Sequence, residues 1–132
     1  MDALRFAKIN VRVRDLDAAL AYMRDVLGAE VLRERNTNAY GEMVLVRYGG
    51  LTVEILAPDR PDSSLARIID RRGEGIDSIG FYTDDVDGAV AALEANGAKI
   101  ASNDGSLAWL HPKNPLSLSL EFLDPAEHPL AG

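Results

Sequence analysis

The sequence contains no cysteine and only two histidines among its 132 residues. The lack of cysteine excludes disulfides, thiolate metal sites and a cysteine nucleophile. Basic residues are also few, with 14 Lys and Arg against 21 Asp and Glu and a net charge of −7, which disfavours nucleic acid and anionic membranes as partners. No apolar run approaches the roughly 20 residues of a membrane span, and the first residues lack the apolar core of a secretory signal. We therefore expect a cytoplasmic protein.

Alternating polarity and helical periodicity are what the sequence does contain. Residues 6–13 alternate polar and apolar side chains, which predicts a strand with one buried face. Asp15 or Asp17 can cap a following amphipathic helix over 16–27, and Gly28 stands where that helix would end. Three short apolar runs follow at 29–32, 42–48 and 51–56, the last two joined by the hairpin signal Gly49-Gly50. The first half therefore reads βαβββ.

The same pattern begins again about 70 residues downstream. The segment DLDAAL from Asp15 is echoed by DVDGAV from Asp85. The corresponding second-half elements are a strand at 76–82, a helix at 86–95 and strands at 99–102, 106–111 and 116–123. We predict one domain over 1–132, comprising module one at about 4–57, a linker at about 58–75, module two at about 76–124 and a tail at 125–132.

Polar residues line one face of several predicted strands. If the helices cover the apolar faces, the polar faces of both modules can curl together into a cup, where chemistry would take place. The side chains that strand alternation assigns to this face are Lys8, Asn10, Arg12, Glu54, Ser78, Tyr82, Ser119 and Glu121.

The order and spacing of these segments resemble the vicinal oxygen chelate superfamily, which includes glyoxalase I, bleomycin-type resistance proteins, extradiol dioxygenases and methylmalonyl-CoA epimerases. The likeness is strongest to the epimerase branch. It is carried by residues 13–28, by TVEILAP at 52–58, GEGI at 73–76, IGF at 79–81 with DDV at 84–86, and HPK at 111–113 leading to Leu120 and Glu121. The resemblance implies an α+β fold in which tandem βαβββ modules form a curved-sheet cup, and a homodimer.

The resemblance also implies a divalent metal held by four inward-facing side chains, at positions occupied here by Lys8, Glu54, Ser78 and Glu121. Both carboxylates are present, but Lys8 and Ser78 stand where the family carries histidines. A lysine ammonium repels a cation, and two glutamates alone hold one weakly. We therefore expect no cofactor, and a divalent metal is the less favoured alternative.

The presence of Lys8 suggests that an ammonium group takes the place of the metal ion. This ammonium can pair with Glu54 and Glu121, stabilise an enolate oxygen and leave a glutamate to move the α-proton. The competing interpretation is a structural ion pair in an inactive site. Six further residues are candidate substrate contacts, namely Asn10, Arg12, Ser78, Tyr82, Ser119 and Glu42. His128, in the tail, receives no role.

The leading hypothesis is an epimerase or isomerase that forms an enolate from a small carbonyl compound or acyl thioester. One alternative is a non-catalytic protein that sequesters a small ligand, although an aromatic content of 6% mildly disfavours it. Another is a metal-dependent enzyme similar to methylmalonyl-CoA epimerase or lactoylglutathione lyase. In each case we expect a small-molecule partner and no nucleic-acid or membrane partner.

Overall fold

The computed structural model describes residues 3–115 and 119–130, and these residues form an α+β arrangement of strands and helices. In chain order the elements are β1 (Arg5–Arg12), α1 (Leu16–Ala21), β2 (Glu30–Thr37), β3 (Glu42–Tyr48), β4 (Leu51–Ala57), α2 (Ser64–Arg72), β5 (Gly75–Tyr82), α3 (Val86–Ala95), β6 (Ile100–Asn103), β7 (Leu107–Leu110) and β8 (Ser119–Leu123). The predicted fold class, with two successive βαβββ modules, is confirmed. The predicted beginning of the last strand, at 116–118, lies outside the described residues.

The chain forms two compact units, and their limits fall inside β1 and β5. One unit, here called the Lys8 unit, contains the chain up to Lys8 together with Ser78–Leu130, and its strands follow the order β5, β8, β7, β6. The other, here called the Glu54 unit, contains Ile9–Asp77, with the strand order β2, β3, β4, β1. The Lys8 unit therefore combines most of predicted module two with the first residues of β1, and the Glu54 unit combines most of module one and the linker with the first residues of β5.

Side-chain caps explain where the helices begin. Asp15 accepts a hydrogen bond from the Ala18 amide at 3.1 Å, and Asp85 accepts one from the Gly88 amide at 2.9 Å. Such caps satisfy amide groups that have no partner within a first helical turn. The predicted helix over 16–27 is α-helical only as far as Ala21, because Tyr22–Val26 forms a π-helical turn.

The hairpin between β3 and β4 sets the register of the strand that carries Glu54. Gly49 and Gly50 have φ angles of 56° and 80°, a combination that a tight two-residue turn requires and that glycine adopts without strain. The turn pairs Tyr48 with Leu51, and successive pairs then place Leu45 opposite Glu54. The sequence signal for this hairpin is confirmed.

Each unit has its own apolar core. In the Glu54 unit the buried cluster is formed mainly by aliphatic residues of α1, β3 and β4, including Leu16, Val44, Val46, Val53 and Ile55. In the Lys8 unit it is formed by Val86, Val90, Ala108 and Phe122. These residues lie at the positions that the periodicity predicted to be apolar. No helix in the described ranges is long and apolar enough to cross a membrane.

Candidate functional site

The Lys8 unit contains a buried ion pair between β1 and β8. The Nζ atom of Lys8 lies 3.2 Å from Oε1 of Glu121, and the two side chains are only 8% and 4% exposed. Charged groups are rarely buried to this extent, because removing a charge from water is costly unless an opposite charge compensates it. The structure therefore brings together two of the three residues to which the sequence analysis assigned catalytic roles.

The pairing of β5 with β8 positions Glu121 and its neighbours. These strands are parallel, with Ser78 opposite Ser119 and Gly80 opposite Glu121. Side chains alternate between faces along a strand, so these four positions share one face. Ser78 is fully buried there. Gly80 contributes no side chain and leaves space beside the Glu121 carboxylate.

This arrangement offers two chemical functions at one place. An ammonium group shielded from bulk water stabilises a developing negative charge more strongly than an exposed one does, since the local dielectric constant is lower. A carboxylate in contact with it can accept or return a proton. The pair has the groups needed for proton transfer next to a carbonyl, and the catalytic roles themselves remain predictions.

In the Glu54 unit, Glu54 and Asn10 are cross-strand neighbours. The parallel pairing of β1 with β4 places Asn10 opposite Glu54, so both side chains lie on the same face. Asn10 is 1% exposed, and Glu54 is half-buried. The register therefore agrees with the face that the sequence analysis assigned to these two residues.

Arg12 lies at the end of β1 and forms a second buried ion pair, with Asp77. Its Nη1 atom is 3.2 Å from Oδ1 of Asp77, and their side chains are 11% and 9% exposed. The guanidinium also donates to the Gly73 carbonyl at 2.9 Å and to the Ile76 carbonyl at 3.1 Å. These contacts hold the chain that leads into β5. This role of Arg12 could not be predicted from the sequence, because no local pattern connects Arg12 with Asp77.

Three other residues that were predicted to contact substrate interact with groups of the protein itself. The Tyr82 hydroxyl donates to the His128 carbonyl at 2.7 Å, and the Ser119 hydroxyl donates to the Leu110 carbonyl at 3.4 Å. Oε1 of Glu42 lies 4.0 Å from Nη1 of Arg35 on the neighbouring strand. Their use by a substrate stays a prediction. The structure also shows that His128, which received no role, anchors the tail to β5 through its carbonyl.

A metal site in the described part of the chain would need a group of side chains that could ligate the ion. No group of three or more His, Cys, Asp or Glu side chains lies within reach of one metal ion there. Lys8 occupies one of the four positions that the resemblance assigns to ligands, and its ammonium contacts the carboxylate at another, Glu121.

Comparisons with known proteins agree with this architecture. Residues 8–109 match the model of the glyoxalase/bleomycin resistance protein/dioxygenase superfamily. The mitochondrial methylmalonyl-CoA epimerase of Mus musculus is 29% identical over 119 residues, which cover 83% of this chain and 67% of the mouse protein.

Two solved structures are similar along nearly the whole chain. A methylmalonyl-CoA epimerase in complex with methylmalonyl-CoA and NH4+ has a TM-score of 0.81 and 24% identity, covering 99% of both chains. A Streptomyces coelicolor methylmalonyl-CoA epimerase in complex with 2-nitronate-propionyl-CoA has a TM-score of 0.79 and 25% identity, covering 91% of this chain and 96% of the other. The fold is therefore glyoxalase-like. The superfamily model matches most of the length of this chain, and the chain therefore belongs to the glyoxalase/bleomycin resistance protein/dioxygenase superfamily.

Proposed function

We propose that this chain is an enzyme similar to methylmalonyl-CoA epimerase that moves a proton next to the carbonyl of a small carbonyl compound or acyl thioester, without a divalent metal. The observation that carries the proposal is the buried contact between Lys8 and Glu121. The similarity to methylmalonyl-CoA epimerases supports the reaction class.

The reaction begins when the substrate carbonyl oxygen approaches the Lys8 ammonium. Glu121 removes the α-proton, so that the electron pair of the C–H bond forms a carbon–carbon double bond and the π pair of the carbonyl moves to its oxygen to give an enolate. The ammonium stabilises that oxygen by a charge-assisted hydrogen bond. Transfer of a proton from water to the opposite face of the same carbon, with the Glu121 proton released to water, gives the epimer, whereas return of the Glu121 proton to a different atom gives an isomer.

The residues of this chain do not fit the family's metal. A divalent transition metal needs three or four ligands, and the Lys8 ammonium would repel it from the position beside Glu121. A solved methylmalonyl-CoA epimerase contains NH4+ together with methylmalonyl-CoA. In the proposed reaction the Lys8 ammonium, a nitrogen cation that is part of the chain, serves in place of a bound cation.

The test measures exchange of the substrate α-proton for deuterium in D2O. The protein is first treated with a chelator to remove metal ions, and the exchange is then monitored by NMR. Methylmalonyl-CoA and a panel of acyl thioesters and 2-oxo acids are the substrates. We expect exchange with at least one of them, and we expect Glu121→Gln to lose it by about 100-fold or more under conditions in which the destabilised variant is still folded by circular dichroism. Asp84→Asn is the matched control, since it removes an exposed partner of Arg5 in the same unit and should change the rate less than twofold.

Three results would contradict the proposal. Exchange that appears only after Co, Zn, Ni or Mn is added would establish the metal-dependent alternative. Binding of panel compounds without exchange would favour ligand sequestration. Full activity of Glu121→Gln would exclude this pair from the reaction.

A further inference from the structure

Gly80 occupies an interior position of β5, where glycine is an unfavourable residue. Glycine loses more conformational freedom on folding than other residues and contributes no side chain to packing. Its φ angle lies outside the left-handed range, so the backbone does not require glycine there. A glycine inside a strand often marks a place where another group approaches closely.

That group is the buried ion pair. A Cβ atom at Gly80 would lie 3.0 Å from Oε1 of Glu121, 3.1 Å from Cγ of Lys8 and 3.3 Å from Cδ1 of Leu123. Two of these three contacts involve the ion pair, and all three are tighter than ordinary van der Waals contacts. The carboxylate oxygen that such a Cβ would meet at 3.0 Å is the same Oε1 that accepts from Lys8.

The internal repeat provides a comparison. In the Glu54 unit, Asn10 stands opposite Glu54 on parallel strands, just as Gly80 stands opposite Glu121 in the Lys8 unit. Asn10 keeps a buried side chain at its position. The first strand of module one thus carries Asn10 opposite its glutamate, and the first strand of module two carries Gly80. The glycine is found at the position that the aliphatic part of the Lys8 side chain approaches.

We propose that Gly80 is a positioning residue that provides the space in which Lys8 and Glu121 align. A methyl group at this position displaces the carboxylate by a few tenths of an ångström and weakens its contact with the ammonium. The effect on turnover rests on the proposed function, whereas the effect on the pair does not. A small displacement of a catalytic group lowers kcat, because the rate depends steeply on geometry.

The environment of Lys8 can be measured without any substrate. The chain has three lysines, and Lys99 and Lys113 are exposed, so both serve as internal references. Acetylation by an N-hydroxysuccinimide ester, followed by mass spectrometry, gives a rate for each lysine. We expect Gly80→Ala to raise the Lys8 rate about tenfold relative to the references, and Ile79→Val, a conservative change at the adjacent position of β5, to leave it unchanged.

A second substitution tests whether space is the cause. Glu121→Asp shortens the carboxylate side chain and removes the contact with a methyl group at position 80. In the Gly80→Ala background it should return the Lys8 labelling rate to within threefold of the parent value. It should also slow α-proton exchange less in that background than it does in the parent. For Gly80→Ala alone we expect kcat to fall about tenfold while KM changes less than twofold.

The outcomes separate this inference from the proposed function. Altered Lys8 labelling in a protein with no exchange activity would support the role of Gly80 and overturn the enzymatic proposal. Unchanged labelling in Gly80→Ala would overturn the role of Gly80, whatever the activity. If Gly80→Ala does not fold, folding of the double variant supports the steric explanation, and failure of both variants overturns it.

Discussion

Lys8 is the residue on which the proposed metal-free reaction depends. A metal ion must be captured by several ligands, whereas an ammonium group on β1 is part of the chain and needs only a suitable anion nearby. Glu121 supplies that anion at 3.2 Å. Burial makes the pair sensitive to loss of either partner, because a single charge left in a dry environment is strongly destabilising.

Lys8→Met is therefore expected to lower the free energy of unfolding by about 3–5 kcal/mol, because it leaves the Glu121 carboxylate buried without this cation. Adding Glu121→Leu removes the second charge and should recover much of the loss. Urea denaturation of the parent, both single variants and the double variant measures the coupling. Losses that simply add would mean that the two groups are energetically independent.

The strands and their connections depend on contacts that differ widely in burial. Arg12 fixes the segment before β5 through Asp77 and two carbonyl groups, and this pair is almost fully enclosed. Arg14, only two residues along the chain, pairs with Asp70, but these side chains are 59% and 66% exposed. The two arginines offer a direct comparison of a buried with an exposed ion pair.

Arg12→Met should lower the free energy of unfolding by about 3–5 kcal/mol, since Asp77 would keep a buried charge. Arg14→Met should change it by about 1 kcal/mol or less, as is typical of exposed pairs. Urea denaturation in parallel distinguishes the two. Equal losses for both variants would contradict an anchoring role for Arg12.

The turn between β6 and β7 is stabilised by hydrogen bonds to the carboxylate of Asp104, and this stabilisation depends on pH. Amide groups of Ser106 and Leu107 each donate to Oδ1 of Asp104 at 2.8 Å, and the Ser106 hydroxyl donates at 3.0 Å. The Ser106 amide is the main reason why the pKa of Asp104 lies below its ordinary value of 3.8, followed by the Leu107 amide and the Ser106 hydroxyl. These bonds favour the ionised carboxylate.

Because the folded-state pKa of Asp104 is lowered, its contribution to stability is present above pH 3.8 and is lost as the pH falls through the folded-state value. Asp104→Asn should therefore have a lower thermal midpoint than the parent at pH 7, and the difference should shrink below pH 3.8. Thermal unfolding at both pH values checks this. A difference that stays constant with pH would show that the charge of Asp104 is not responsible.

For the molecule as a whole, a measurement of retained metal distinguishes the proposed metal-free site from a site that binds a divalent metal. We expect no retained metal when untagged protein is incubated with Co, Zn, Ni and Mn, freed of excess ions and measured by mass spectrometry. The reason is that Lys8 places a positive charge beside Glu121. About one equivalent of bound metal would refute the metal-free proposal and restore a Lewis-acid mechanism.

The modules could be predicted because their signals are local. Polar and apolar alternation, aspartate caps before α1 and α3, and the turn at Gly49 and Gly50 each act over a few residues, and all of them are found in the structure. Their recurrence after about 70 residues is sufficient to predict the tandem arrangement. The π-helical turn at Tyr22–Val26 was not predicted, since the same apolar spacing is compatible with a continuous α-helix.

The sequence by itself determined the order of elements and the face on which Asn10 and Glu54 lie, because strand periodicity follows from backbone geometry alone. Only the tertiary structure decided which charges meet. Lys8 contacts Glu121, and Arg12 contacts Asp77, although the two members of each pair are far apart in the sequence. The pairing of β5 with β8 places Gly80 opposite Glu121, so the proposed role of this glycine beside the ion pair follows from the tertiary structure.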